Sequence, residues 1–432
     1  MSQRHAYLGD LEEVQRPQLS LFADGTVMAL PILFLRDVVL FPGEEIPLRM
    51  LSDTSMEAIR DQLSNEGALL GIVSPGQEEP VYGTTVRIDR FNLVEHCASL
   101  TGVAKQRFRL RQITHGHDSM GVTGDVEILG DLLPRLPLPA PVVPARREKG
   151  RRTIVPPNRL RRASRYPFFW DYSVYSLFDA YALVDRIQRM MVSSAQCNWF
   201  QQWRAQDSDE VSLVSYLTTP SHQVDPVRFA FWIAGNLPLS HAERLELLRI
   251  AGVVQLLRRL IVLLSLLHED IFCVRCGSKL SKSDEIFSMS QDGTTGTFVN
   301  PAGFVHQIMT LKAIQRERVF VDPNRSTEDS WFPGYSWSIV YCRGCSGHLG
   351  WQFDRTEESQ EPARFFGFRR SSLTQSWAMN RDVSPLIRGT SSGLEDPFAD
   401  HDRSSDEWED VESHESFSTE EGSDTATDAS ID

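Results

Sequence analysis

Short apolar runs broken by turn residues open the patterned part of the chain. Leu30-Pro31-Ile32-Leu33-Phe34-Leu35 and Val38-Val39-Leu40-Phe41 stop at Pro42-Gly43, and Ile46-Pro47-Leu48 follows. Farther on the alternation is strict. Val86 and Ile88 share one face, as do Phe108 and Leu110, while Arg107, Arg109 and Arg111 are expected in water. Short strands with glycine turns predict a mostly antiparallel β domain over residues 27–133. The period then changes. Leu177, Tyr181, Val184, Ile187 and Met191 fall at helical spacing. A second helix is predicted to start after Ser240, which with Glu243 forms a capping box, and to run through Leu245, Leu248, Val253, Leu256, Leu260, Leu263 and Leu267.

Composition divides the rest. Residues 1–26 are polar and expected to be loose. Residues 134–165 are rich in Pro and Arg and read as a linker, and residues 376–432 read as an acidic disordered tail. Residues 401–432 alone hold twelve Asp/Glu against one Arg, so most of the formal net charge of −14 sits there. The near-balanced remainder gives no sign of a nucleic-acid binder. The start Met1-Ser2-Gln3-Arg4-His5 has no secretory pattern, and the greasiest stretch, 256–267, carries Arg258 and Arg259 and is too short to cross a bilayer. The expectation is a soluble intracellular chain whose thiols stay reduced.

Two pairs, Cys273-Val274-Arg275-Cys276 and Cys342-Arg343-Gly344-Cys345, have the knuckle spacing that closes a tetrahedral tetrathiolate site. With four thiolates and no open position, one structural zinc ion is expected, contributing on the order of 10 kcal/mol of folding free energy. A thioredoxin-like redox pair would need one C-x-x-C in a βαβ setting. Cys97 and Cys197 read as ordinary semi-buried residues.

Between and after the knuckles lie Ser330-Trp331-Phe332-Pro333-Gly334-Tyr335-Ser336-Trp337 and Gly350-Trp351-Gln352-Phe353. A strand from Tyr335 puts Tyr335, Trp337 and Ile339 on one face, and Trp351 and Phe353 lie on a common face too, so that three indoles and a Phe can converge beside the metal site. These rings build either the core of a small β domain or a ligand cage. Three bulky indoles, each with an N–H to satisfy, favour the cage. Gly303, Gly334 and Gly350 are expected to let backbone approach the ligand. Flat walls suit a small planar ring or a quaternary cation such as methyl-lysine.

These blocks resemble the cereblon family. The carriers are Asn300-Pro301-Ala302-Gly303-Phe304-Val305-His306, the hairpin from Ser326-Thr327-Glu328 through Trp337, Cys342 to Cys345, and His348-Leu349-Gly350-Trp351-Gln352-Phe353. Upstream, Ser176-Leu177-Phe178-Asp179-Ala180, Leu183-Val184-Asp185-Arg186-Ile187 and Leu237-Pro238 are similar to the family's adaptor-binding helical region. Val38-Val39-Leu40-Phe41-Pro42-Gly43 resembles the N-terminal domain of Lon proteases, which that family shares. The resemblance implies an α+β multidomain chain: a mostly β Lon N-terminal-like domain (27–133), a helical adaptor-binding region (166–270) and a zinc-containing β-sheet CULT domain (271–375).

It also implies a non-enzymatic role: a substrate receptor of a cullin-4 RING ubiquitin ligase, docked through the DNA-damage-binding adaptor protein, in cytoplasm and nucleus. Trp331, Trp337 and Trp351 would wall the cage and Phe353 floor it. Backbone near Asp329 and Trp331 would bind the imide, with Asn300 close by at the mouth and Glu328 among the ligand-binding residues. Ligands would be thalidomide-type glutarimides and protein C-terminal cyclic imides. Asp329 and Ala302 replace histidines usual in vertebrate members, and Ile339 replaces a frequent Val. These differences bear on which drug-dependent substrates are recruited. A Lon-type protease is excluded, because no G-x-x-x-x-G-K-[ST] phosphate loop exists in the chain. The Cys273→Ser change is expected to unfold the C-terminal domain while leaving the helical region able to bind its adaptor.

Overall fold

The computed structural model describes residues 5–14, 21–51, 68–94, 97–115, 122–131, 146–148, 151–153, 176–193, 221–267, 269–289 and 293–375. The alternating segments become β2 (Val27–Phe34), β3 (Glu45–Met50), β4 (Leu69–Val73), β5 (Val81–Val94), β6 (Cys97–His115) and β7 (Val122–Ile128), joined by the short β1 (Glu12–Glu13). Their order is β1-β5-β4-β2-β7-β6-β3, and an additional β5–β6 pairing closes the sheet into a barrel. Closure removes edges that would otherwise present unpaired backbone. Every pairing is antiparallel except β2–β4, which is parallel. Val86, Ile88 and Phe108 are buried as the alternation requires.

Two expectations are corrected here. Arg107 does not face water: it is 1% exposed, and the helical layer covers it. Arg109 and Arg111 do reach outward and bind Glu127, which they hold below the ordinary carboxylate range. The N-terminal segment, where described, is docked rather than loose. Ala6–Leu8 forms a turn of 3-10 helix, His5 and Leu8 are buried, and the Tyr7 hydroxyl accepts the Val299 N–H at 3.1 Å. The cause is local: Tyr7, Leu8, Leu11 and Val14 supply enough apolar surface to join the barrel core.

Within the stretch read as a linker, β8 (Arg146–Glu148) and β9 (Arg151–Thr153) pair antiparallel. The rest of 134–165, Cys197 and residues 376–432 lie outside the described residues. Four α-helices are described: α1 (Ala180–Ser193), α2 (Pro226–Asn236), α3 (His241–Arg249) and α4 (Val253–Ser265). The single helix expected from 240 to 267 is two. Ile250 is extended, and Gly252, at φ 84°, adopts a conformation that costs glycine nothing. The Ser240–Glu243 capping box is present in both directions.

The C-terminal part is β. Strands β10 (Asp270–Cys273), β11 (Lys279–Lys282) and β18 (Leu373–Gln375) form one sheet in the order β11-β10-β18. Strands β12 (Thr295–Val299), β13 (Val305–Leu311), β14 (Val319–Val321), β15 (Tyr335–Cys342), β16 (His348–Arg355) and β17 (Arg364–Arg369) form another, ordered β12-β13-β17-β16-β15-β14 and wholly antiparallel. A continuous apolar core joins Val39 and Phe41 beside the barrel to Leu183, Phe229 and Leu260 of the helices and to Ile271, Met309 and Phe368 of these sheets. No described helix is long and apolar enough to cross a membrane.

Candidate metal centre and aromatic site

Both knuckles are built the same way at a strand end. The Cys273 carbonyl accepts the Gly277 N–H, and the Cys342 carbonyl accepts the Ser346 N–H, at 2.9 and 2.8 Å. The Cys273 N–H in turn donates to the Ser278 carbonyl and the Cys342 N–H to the Gly347 carbonyl, each at 2.9 Å. The four Sγ atoms gather within 4.8 Å of one another, the separation expected of ligands sharing one ion. As free thiols they are unequal. Burial pushes Cys273 up to about 12, whereas a hydrogen bond with Ser278 brings exposed Cys276 down to about 6. A soft divalent ion resolves this by holding all four as thiolates. The set fits one structural zinc ion.

The same two strand ends fix the aromatic site. β15 and β16 pair with Trp337 opposite Phe353 and Ile339 opposite Trp351, so these four side chains share a face. Trp337 also exchanges backbone hydrogen bonds with Ser326, which closes the hairpin loop carrying Glu328, Asp329 and Trp331. The Trp337 Nε1–H donates to the Glu328 carbonyl at 2.8 Å, and the Trp331 Nε1–H donates to the Val299 carbonyl at 3.0 Å. The Trp331 ring stacks on Phe298 (centroids 5.2 Å apart) and meets Trp351 edge to face at 4.6 Å. All three indoles are half-buried. Two of them satisfy their N–H groups internally, so the rings are positioned by the protein itself.

Two further rings, both histidines, join the aromatic cluster. His306 and His348 pack against Trp351 at 5.1 and 4.9 Å. Burial foremost, then the positive Arg369, brings both imidazoles down to about 4, so both are neutral at pH 7. His348 reaches the Gly350 carbonyl through Nε2 at 3.2 Å and the Arg369 guanidinium through Nδ1 at 3.3 Å. A neutral ring protonated at Nε2 satisfies both contacts. Arg369 also binds Asp37 beside the barrel. Their signal was their place inside the motif blocks; nothing in their spacing distinguished them.

Phe353 is 1% exposed, stacked on Phe365 and edge-on to Phe332. Asn300 uses its Oδ1 to accept the Phe304 N–H at 2.8 Å, which fixes the β12–β13 turn. The Glu328 and Asp329 side chains are exposed, and Asp329 sits at φ 50°. Gly350 and Gly303 are packed closely against backbone, whereas Gly334 lines the cavity beside the hairpin. A Cβ at Gly350 would stand 2.1 Å from the Gly367 carbonyl, and one at Gly303 would stand 2.6 Å from the Arg49 carbonyl. A cavity of about 350 Å³ adjoins the hairpin, lined by Tyr7, Asp329, Pro333 and Tyr335 among others and by none of the three indoles.

Comparison with known proteins gives two family matches that divide the chain near residue 270. Residues 29–265 match the ATP-dependent protease La (LON) substrate-binding domain, and residues 271–384 match the family described as Yippee zinc-binding/DNA-binding/Mis18, centromere assembly. The chain is 28% identical to protein cereblon of Danio rerio over 85% of each chain. It is 27% identical to protein cereblon of Gallus gallus over 89% of this chain and 87% of that one. The N terminal domain of Mycobacterium avium complex Lon protease aligns at 18% identity and a TM-score of 0.34, covering 55% of this chain and 98% of that one.

Proposed function

The chain belongs to the family of the ATP-dependent protease La (LON) substrate-binding domain, and from that membership, with its similarity to proteins named cereblon over most of its length, we propose that it is a non-catalytic substrate receptor. In this reading it serves a cullin-4 RING ubiquitin ligase and takes cyclic imides in the cage of Trp331, Trp337 and Trp351. One observation carries the ligand assignment. Among the described residues, neither the Asp329 carbonyl nor the Trp331 N–H has a hydrogen-bond partner, and the two flank Ser330 beside the indoles. A cyclic imide offers the complement: one N–H donor next to carbonyl acceptors on a flat ring with apolar faces. Leaving such groups unpaired on burial would cost about 1–3 kcal/mol each. Arg369, tied to the ring cluster through His348, is itself paired with Asp37, so the ligand choice rests on the backbone donor and acceptor rather than on charge.

The adaptor side of the reading rests on the entrance to α1. Leu177, Phe178 and Tyr181 are exposed there, and Arg258 of α4 lies over the Phe178 ring at 5.1 Å. Clustered apolar groups left in water mark protein contact surfaces, and the cullin adaptor is the partner we assign to them.

Tryptophan fluorescence titration of the full chain with a glutarimide and with a trimethyl-lysine peptide tests the ligand. Saturable glutarimide binding, weakened at least about tenfold in Trp331→Ala, is expected. Preference for the peptide overturns the assignment.

A further inference from the structure

A second cavity, of about 780 Å³, lies where the barrel, α2 and the β12–β13 hairpin meet. This is the size of small-molecule sites, roughly 300–1,000 Å³, which form preferentially at such junctions. Val103 of β6 and Val227, Phe231 and Trp232 of α2 give it apolar walls.

Its charges are unevenly used. Glu44 accepts the Phe41 N–H and pairs with Arg244, and Glu45 pairs with Arg90. Asp131 binds Arg107, Asp24 accepts the Gly130 N–H, and Asp225 caps α2 through the Val227 N–H. The two buried arginines in the lining are engaged as well: Arg244 on Glu44 and the Val39 carbonyl, Arg370 on the carbonyls of Gly235, Leu237 and Leu239. Two cations remain. Among the described residues, neither Lys105 nor Arg228 has a salt-bridge partner, although both line the cavity. Lys105 is partly buried, and besides that burial the positive charges of Arg87 and Arg228 press its pKa down, opposed by Asp89. Arginines neutralise Glu44, Glu45 and Asp131, and Asp24 and Asp225 each accept a backbone N–H, so Lys105 and Arg228 are the lining cations that pair with neither a carboxylate nor a carbonyl among the described residues.

We propose that this cavity binds a small organic carboxylate. The apolar body lies against Phe231, Trp232 and Val103, and the carboxylate sits between Lys105 and Arg228. Because the barrel, α2 and the C-terminal sheet all contribute walls, the ligand binds only their assembled arrangement and stabilises it by mass action. The proposal stands apart from the cage and its ligand.

The test uses the full chain with 8-anilinonaphthalene-1-sulfonate, itself an apolar anion, as fluorescent probe. Decanoate should displace the probe and decanol should not. In the double variant Lys105→Gln/Arg228→Gln, decanoate affinity should fall by about tenfold or more. A second variant, Val227→Trp, fills the cavity from α2 without touching either charge and should abolish displacement. Equal displacement by decanol, or unchanged decanoate affinity in both variants, overturns the proposal. Probe bound instead to the exposed Leu177–Phe178 surface would give that second result.

Discussion

Arg107 extends from β6 to three partners outside its own strand. Its guanidinium donates to the Leu248 and Ile250 carbonyls at 2.8 and 2.7 Å and forms an ion pair with Asp131. The carbonyls belong to the C-terminal end of α3, where the helix leaves acceptors unpaired and favours a cation. Burial raises the Asp131 pKa, and Arg107 is what opposes that rise. Arg107→Ala would strip all three partners at once, and removing one member of a buried pair costs about 3–5 kcal/mol. Urea unfolding should register a loss in that range; a loss under about 1 kcal/mol would mean that solvent reaches the site. Period-2 alternation assigned Arg107 to its correct face but could not say that a helix end covers that face. The indoles were legible for the opposite reason. Their residue type alone restricts where they can sit, and register then set Trp337 opposite Phe353.

Helix ends were more legible than helix bodies. Ser240 and Glu243 lie three residues apart before an apolar run, and the reciprocal bonds form as that spacing requires, the Ser240 N–H to the Glu243 carboxylate at 2.8 Å. Ser240→Ala should therefore cost about 1 kcal/mol, read as a shift in the urea midpoint with an unchanged slope. No shift would show that the end of α3 is held by packing alone. By contrast α2 escaped notice although Asp225-Pro226 is a cap followed by proline at the first helical position. Phe229, Ala230, Phe231, Ile233 and Ala234 are all buried, so α2 has no polar stripe for a periodicity search to find. The break before α4 was hidden in the same way, because Val253 onward continues an apolar pattern across the turn at Gly252. Barrel closure was also beyond the sequence. Alternation shows which residues face inward, but the parallel β2–β4 pair and the β5–β6 seam depend on contacts between distant segments.

At the scale of the whole described fold, the metal centre is not confined to the sheet that carries it. Cys273 and Cys342 belong to the same apolar core as α1, α2 and α4. Arg370, just past β17, donates to three carbonyls at the end of α2, and Asn236 of α2 accepts the Thr294 N–H at 3.1 Å. A structural zinc contributes on the order of 10 kcal/mol, comparable with the whole stability of an ordinary domain, about 5–15 kcal/mol. Its loss would therefore propagate. The sequence alone suggested that Cys273→Ser would leave the helices competent, because motif spacing treats the knuckles and the helical stretch as separate blocks. The shared core predicts otherwise. In Cys273→Ser, or after chelation, the helical circular dichroism signal and the tryptophan fluorescence should be lost in one transition at a lowered midpoint. Helices that outlast the tryptophan environment by a separate transition would mean that the core across α2 and β13 adds little, and the two halves would then unfold as independent units.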